Sequence, residues 1–160
     1  MKMDFFKDID DIRNSFHRFA ALPGKDGYVI INGEIPEYER IVEGVSGSVV
    51  TYSIEGTDTD GAASDYHAED ISYNEFGCAS FTVVGKNVRE KISLSVPGLH
   101  NISNALAAFA LAEIAEVDAE TVRRALGKFT GTDRRFEYLW LAEEFEIDHS
   151  ARRIRLRNIN

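Results

Sequence analysis

The sequence predicts an α/β protein: a partial parallel sheet with flanking helices, followed by a small antiparallel three-stranded meander. Two observations carry this. The first third alternates helix-period segments with short, continuously apolar runs, the pattern of buried parallel strands. The middle third then changes to apolar–polar alternation, the pattern of a sheet with one wet face.

The elements follow in order. Ile9, Ile12, Phe16, Phe19 and Ala20 recur at helical spacing, so residues 8–21 form an amphipathic helix. Asp8, Asp10 and Asp11 sit at its positive end. They lack the glycine and distal glutamate of a calcium loop, and a capped helix start accounts for them better. Pro23, Gly24 and Gly27 break the helix. Tyr28-Val29-Ile30-Ile31 is the first strand, closed by Asn32-Gly33. Pro36 opens a short helix to about Val42, and Val49 to Ile54 is the next strand. The polar, acidic stretch Glu55 to Ser64 reads as a solvated loop. Three strands are expected at His67–Tyr73, Ala79–Val84 and Lys91–Val96, with Lys86-Asn87 turning between the last two. Pro97-Gly98 ends the meander. Helices are expected from Asn101 to Ala115 and from Ala119 to Phe129, the second capped by Asp118. Leu139 to Asp148 holds one or two strands, and the arginine-rich end shows no period.

Composition bounds the function. The chain of 160 residues carries 27 acidic and 18 basic side chains, a formal net charge of -9. Such a surface repels nucleic-acid phosphates. An anionic ligand needs a local positive site on an acidic body, and the last nine residues hold four arginines and no acid. There is no run of about 18 apolar residues to span a membrane. The single cysteine, Cys78, fits a reducing cytoplasm and is expected to be a small apolar strand residue. Phe5, Phe6, Phe16 and Phe19 are expected in the core. His17 and His67 have no partners at metal spacing and read as surface residues.

One stretch points to a ligand: Val96-Pro97-Gly98-Leu99-His100-Asn101-Ile102-Ser103-Asn104-Ala105. Asn101 and Asn104 are three apart and share a helix face. Both lie in the first turn, where backbone N–H groups lack partners. Two amides there donate and accept at once, which suits a purine edge, and His100 can stack on or bond the same ring. Helix capping accounts for the asparagines equally well on local grounds. Arg134 and Arg135 can form a phosphate-holding fork, or an ion pair with Glu137.

With Met3-Asp4-Phe5-Phe6 before it and Phe129-Thr130-Gly131-Thr132-Asp133-Arg134-Arg135-Phe136-Glu137 after it, this stretch resembles the central, ATP-binding domain of the Mur ligases. The Arg-Arg-Phe-Glu run favours the alanine-adding branch over the tripeptide-adding relative and the folylpolyglutamate synthases. The resemblance covers roughly residues 3–138 and makes residues 1–138 a partial central domain, with 139–160 a divergent tail. It implies a cytoplasmic ligase of peptidoglycan precursor synthesis, using ATP and Mg2+ to activate a carboxylate for attack by an amine. It also implies that His100, Asn101 and Asn104 lie at the adenine end, and that Arg134 or Arg135 reaches the phosphates.

Departures from the family pattern lead to a further expectation. The sequence has no glycine-rich loop ending in Gly-Lys-Thr, and Lys2 stands where the family has a magnesium-associated histidine. Ile147, Asp148 and Ala151 are all that echoes the family's amino-acid-binding signature. The chain is therefore expected to be truncated at both ends and not catalytic by itself, with no catalytic or metal-binding residues assigned. Its adenine-nucleotide affinity is expected to be weak. A homodimer through an exposed sheet edge is the rival reading, as an interaction module.

Overall fold

The computed structural model describes residues 7–131 and the backbone of two later strands, 145–148 and 153–156. The chain divides into two units, Met1–Thr130 and Gly131–Asn160.

In the first unit, helix α1 (Ile9–Ala20) leads to β1 (Tyr28–Asn32), the short α2 (Glu39–Val42) and β2 (Ser48–Tyr52). Strands β1 and β2 pair in parallel, Tyr28 opposite Ser48 through Asn32 opposite Tyr52. The pair carries apolar side chains on both faces, though of its residues only Ile31 is fully buried. Ile31 packs with Ala20, Tyr38 and Ile41 on one side, while Ile30, Val50 and Tyr52 join the main core on the other. The continuous apolar run thus supplies side chains to a cluster on each face, as a parallel strand does, while Tyr28 and Val49 stay exposed.

The meander follows as β3 (His67–Tyr73), β4 (Cys78–Val84) and β5 (Arg89–Pro97), in that spatial order and antiparallel. Ala79, Phe81 and Val83 alternate into the core from β4, and Ile92, Leu94 and Val96 from β5. The β3–β4 register shifts between Glu69 and Ser72, where Asp70 takes a positive φ of 54°. Aspartate reaches that left-handed region more readily than most residues.

Helix α3 (Leu99–Ile114) is apolar on most of its circumference, and it buries Ile102, Ala105, Leu106, Phe109 and Ala110. Such a helix belongs inside a domain. It contacts the parallel pair and all three meander strands. Helix α4 (Ala119–Lys128) lies on β5, where Ser95 Oγ donates to the Gly127 carbonyl at 2.6 Å and Arg123 pairs with Glu90 at 3.1 Å. In the second unit β6 (Phe145–Asp148) pairs antiparallel with β7 (Arg153–Leu156). A strand thus lies in the arginine-rich end, where no period was legible.

Two expectations are corrected. Phe16 and Phe19 are 55% and 72% exposed, not core. They lie on the apolar face of α1, of which only Ala20 is buried, against Ile31, Tyr38 and Ile41. Phe5 and Phe6 lie outside the described residues. His17 and His67 are half-buried rather than surface residues. His17 Nδ1 lies 3.0 Å from the Ile41 carbonyl, and His67 Nε2 lies 3.3 Å from Glu69 Oε1. The loop from Glu55 to Ser64 is mostly exposed, as expected, and is also fastened: Asp58 accepts from the Tyr38 hydroxyl and from the Asp60 and Ala62 amides, and Ser64 is buried.

Three carboxylates sit below the usual range. The Tyr38 hydroxyl does this for Asp58, the Arg89 guanidinium and then His67 for Glu69, and the Thr121 hydroxyl and amide for the helix cap Asp118. Depressed folded-state values stabilise the fold above the ordinary carboxylate pKa of about 4, and the stabilisation is lost as pH falls through the folded values. The urea midpoint is therefore expected to be flat near neutrality and to fall in acid. Asp118→Asn keeps a cap acceptor but removes one titrating group, so its acid limb should be shallower. An unchanged limb would place the acid loss elsewhere.

Candidate functional site

The start of α3 is built on a turn that only glycine adopts readily. Gly98 has φ 104° and ψ 142°, and its carbonyl accepts from the Asn101 amide at 3.0 Å. The His100 ring folds back over Gly98: a Cβ there would lie 2.8 Å from His100 Cε1. Asn101, half-buried, donates from Nδ2 to the Pro97 carbonyl at 2.8 Å. Asn104, exposed, donates from Nδ2 to Asn101 Oδ1 at 3.3 Å.

The two amides thus form a relay, and the capping and ligand readings divide between them. Asn101 has its oxygen and one N–H committed, and it anchors the turn. Asn104 keeps its oxygen and one N–H, a free donor–acceptor pair at the surface. His100 is one helical turn from Asn104 and also exposed, so both lie on one face. Arg134 and Arg135 lie outside the described residues.

The larger described cavity, about 890 Å³, is elsewhere. It runs along β1 beside α1, and neither Asn101 nor Asn104 lines it. His100 and Asn104 stand on the open surface of the first unit. Among the described residues, no group of three or more His, Cys, Asp or Glu side chains is placed to hold a metal ion.

A second polar cluster was missed by sequence reasoning. At the C-terminal ends of β1 and β2, Asn32 Nδ2 donates to Ser103 Oγ at 3.5 Å, and the Tyr52 hydroxyl also bonds Ser103. Burial pushes the Tyr52 phenol up. Asn32 Oδ1 accepts from the Glu34 amide at 2.8 Å, and Glu34 Oε1 in turn accepts from the Ile54 amide at 2.9 Å. Ligands in open α/β sheets bind at these strand ends. The available signal was Asn32 directly after an apolar strand, together with Ser103 inside the His-Asn-x-Ser-Asn run.

A parallel pair sandwiched by helices, continued by an antiparallel meander and the amide-bearing start of α3, is the fold of the ligases that the motifs resemble. Solved structures show the same fold. The MurF crystal structure I from Acinetobacter baumannii superposes with a TM-score of 0.68 at 20% identity, covering 90% of this chain and 28% of that one. A UDP-N-acetylmuramoyl-L-alanyl-D-glutamate–2,6-diaminopimelate ligase gives 0.66 at 19% identity, covering 86% and 28%. MurF of Thermotoga maritima in complex with ADP gives 0.61 at 12%, covering 80% and 28%.

The chain belongs to the Mur ligase family: residues 2–112 match the Mur ligase middle domain. It is 44% identical over 137 residues to the UDP-N-acetylmuramate–L-alanine ligase of Agathobacter rectalis, covering 85% of this chain and 28% of that protein. The corresponding ligase of Lachnospira eligens is 43% identical over 136 residues, covering 84% and 28%. The chain therefore spans less than a third of the length of these relatives. No helix among the described residues is long and apolar enough to cross a membrane.

Proposed function

We propose that this chain supplies the adenine-facing surface of an ATP-dependent UDP-N-acetylmuramate–L-alanine ligase of peptidoglycan precursor synthesis, and that these 160 residues alone do not ligate. The observation that carries the first part is Asn104. Its free amide donor and acceptor stand at the exposed start of α3, held by the Asn101–Pro97 relay, with His100 on the same face. A purine edge needs one acceptor and one donor side by side, and this is such a pair. The similarity to alanine-adding ligases supports the substrate class, and the ADP-bound neighbour of like fold supports the nucleotide class.

The second part rests on charge. ATP, when bound, supplies the phosphoryl group that activates a carboxylate, and transfer of that group needs cationic groups and backbone N–H donors around the phosphates. The sequence holds three Gly-Lys pairs, followed by Asp26, Asn87 and Phe129, and none is a Gly-Lys-Ser/Thr loop. Without such a loop, affinity rests on base contacts and should be on the order of millimolar.

Titration with AMP, followed by NMR, is expected to move the side-chain amide of Asn104 and the ring protons of His100, and Asn104→Ala should abolish the effect. A flat titration, or shifts that persist in Asn104→Ala, would remove the adenine reading. Phosphate release dependent on both L-alanine and UDP-N-acetylmuramate, from the purified chain, would overturn the second part.

A further inference from the structure

We infer that the turn between β3 and β4 sets the amide pair at the start of α3, and that Asn74 is its positioning residue. What the turn serves rests on the adenine reading; how it works rests on contacts inside the first unit.

Asn74 closes the turn from both sides. Its Oδ1 accepts from the Phe76 amide at 3.0 Å and from the Cys78 amide at 2.9 Å, so both lone pairs are used. Its own amide donates to the Cys78 carbonyl, and its carbonyl accepts from Gly77, each at 3.0 Å. An asparagine side chain bonded to its own backbone in this way holds a turn in one shape. Gly77, at φ 74°, supplies the left-handed position. Its carbonyl then accepts from the Gly98 amide at 3.3 Å.

That last bond reaches the site through one peptide plane. The Gly98 N–H and the Pro97 C=O belong to the same planar, trans peptide, so they point in opposite directions. Holding the N–H toward Gly77 aims the C=O away from the hairpin. There it accepts from Asn101 Nδ2 at 2.8 Å, and Asn101 Oδ1 accepts from Asn104 Nδ2 at 3.3 Å. Order thus passes from Asn74 through Gly77 and the 97–98 peptide to Asn101 and Asn104.

The β4–β5 ladder does not do this work alone. Ser80 pairs with Ser93 and Cys78 with Pro97, so two steps along β4 match four along β5. A bulge of this kind interrupts pairing and bends the strand. The regular rungs, Val84 with Arg89 through Ser80 with Ser93, stop short of the 97–98 peptide. The Asn74 turn grips that peptide from beyond the bulge. The benefit is preorganisation: an amide pair already ordered loses less freedom when a base docks.

The test is NMR on the whole chain with two variants. Asn74 is exposed, so both should fold. Asn74→Ala removes the acceptor, and Asn74→Asp keeps it. In nucleotide-free Asn74→Ala the Gly98 amide should exchange roughly tenfold faster. The Leu106 amide, bonded within α3, should change less. The Asn101 side-chain amide signals should move. The dissociation constant for AMP should rise about threefold or more. Asn74→Asp should return all three to parent values. A merely structural turn would speed Gly98 and Leu106 alike and leave the Asn101 signals in place, which would overturn the inference. So would Asn74→Asp behaving like Asn74→Ala. If AMP moves nothing in the parent, the adenine reading falls, and the relay stands or falls on the Gly98 and Asn101 signals alone.

Discussion

Phe81→Ala is expected to lower the free energy of unfolding by about 3–5 kcal/mol. A domain of this size has only roughly 5–15 kcal/mol in total, so the variant should be near or past its unfolding midpoint in mild urea. The ring is fully buried on β4, opposite Ile92 on β5. It shares the main core with Ile102, Leu106 and Phe109 of α3. These neighbours are held by the β4–β5 ladder and by the turns of α3, so they cannot collapse far into the vacated space. A cavity term therefore adds to the lost transfer energy. Phe19→Ala is the control. It removes the same atoms from a ring that is 72% exposed, and at micromolar concentration it should change stability by no more than about 0.5 kcal/mol. If urea midpoints shifted alike for the two variants, the core assignment would be wrong.

That contrast shows where the sequence was legible. Alternation along β4 and β5 announced which residues face inward, because a period of two admits one core face and a slip exposes all of it. Phe81 and Ile92 follow from pattern alone. Phe16 and Phe19 do not. Their helical spacing correctly marked one apolar stripe on α1, but a stripe does not say whether anything covers it. Periodicity reports a face, and burial also needs a partner. The histidines failed for a related reason. No metal spacing was present, yet His17 finds the Ile41 carbonyl and His67 finds Glu69, contacts between residues that no local pattern links to ligand chemistry.

The candidate site was half legible. The asparagine spacing placed two amides on one face, but it could not divide the work between them. The division comes from the Pro97 carbonyl, which the turn at Gly98 aims at Asn101 and not at Asn104. The Asn32–Tyr52–Ser103 cluster was invisible because its members are separated by up to 71 residues and meet only when α3 packs on the parallel pair.

The turn at Gly98 supplies the second large effect. Gly98→Ala is expected to cost about 1–3 kcal/mol, because φ 104° with ψ 142° is a region that side chains essentially exclude. The added Cβ would also lie 2.8 Å from the His100 ring. That ring is exposed and can swing away, so the backbone term dominates. Relaxing the backbone turns the peptide between Pro97 and Gly98, and with it the carbonyl that Asn101 holds. Asn101 then loses its anchor, and Asn104 loses its support. The variant should therefore be less stable and should also lose the AMP-dependent shift of the Asn104 amide. His100→Ala separates the two causes. It removes the ring but keeps the turn, so its stability should stay within about 0.5 kcal/mol of the parent, and the Asn104 amide should still respond. A Gly98→Ala protein as stable as the parent would mean that the turn carries no strain, and that the order of the two asparagines is set by something other than the entry into α3.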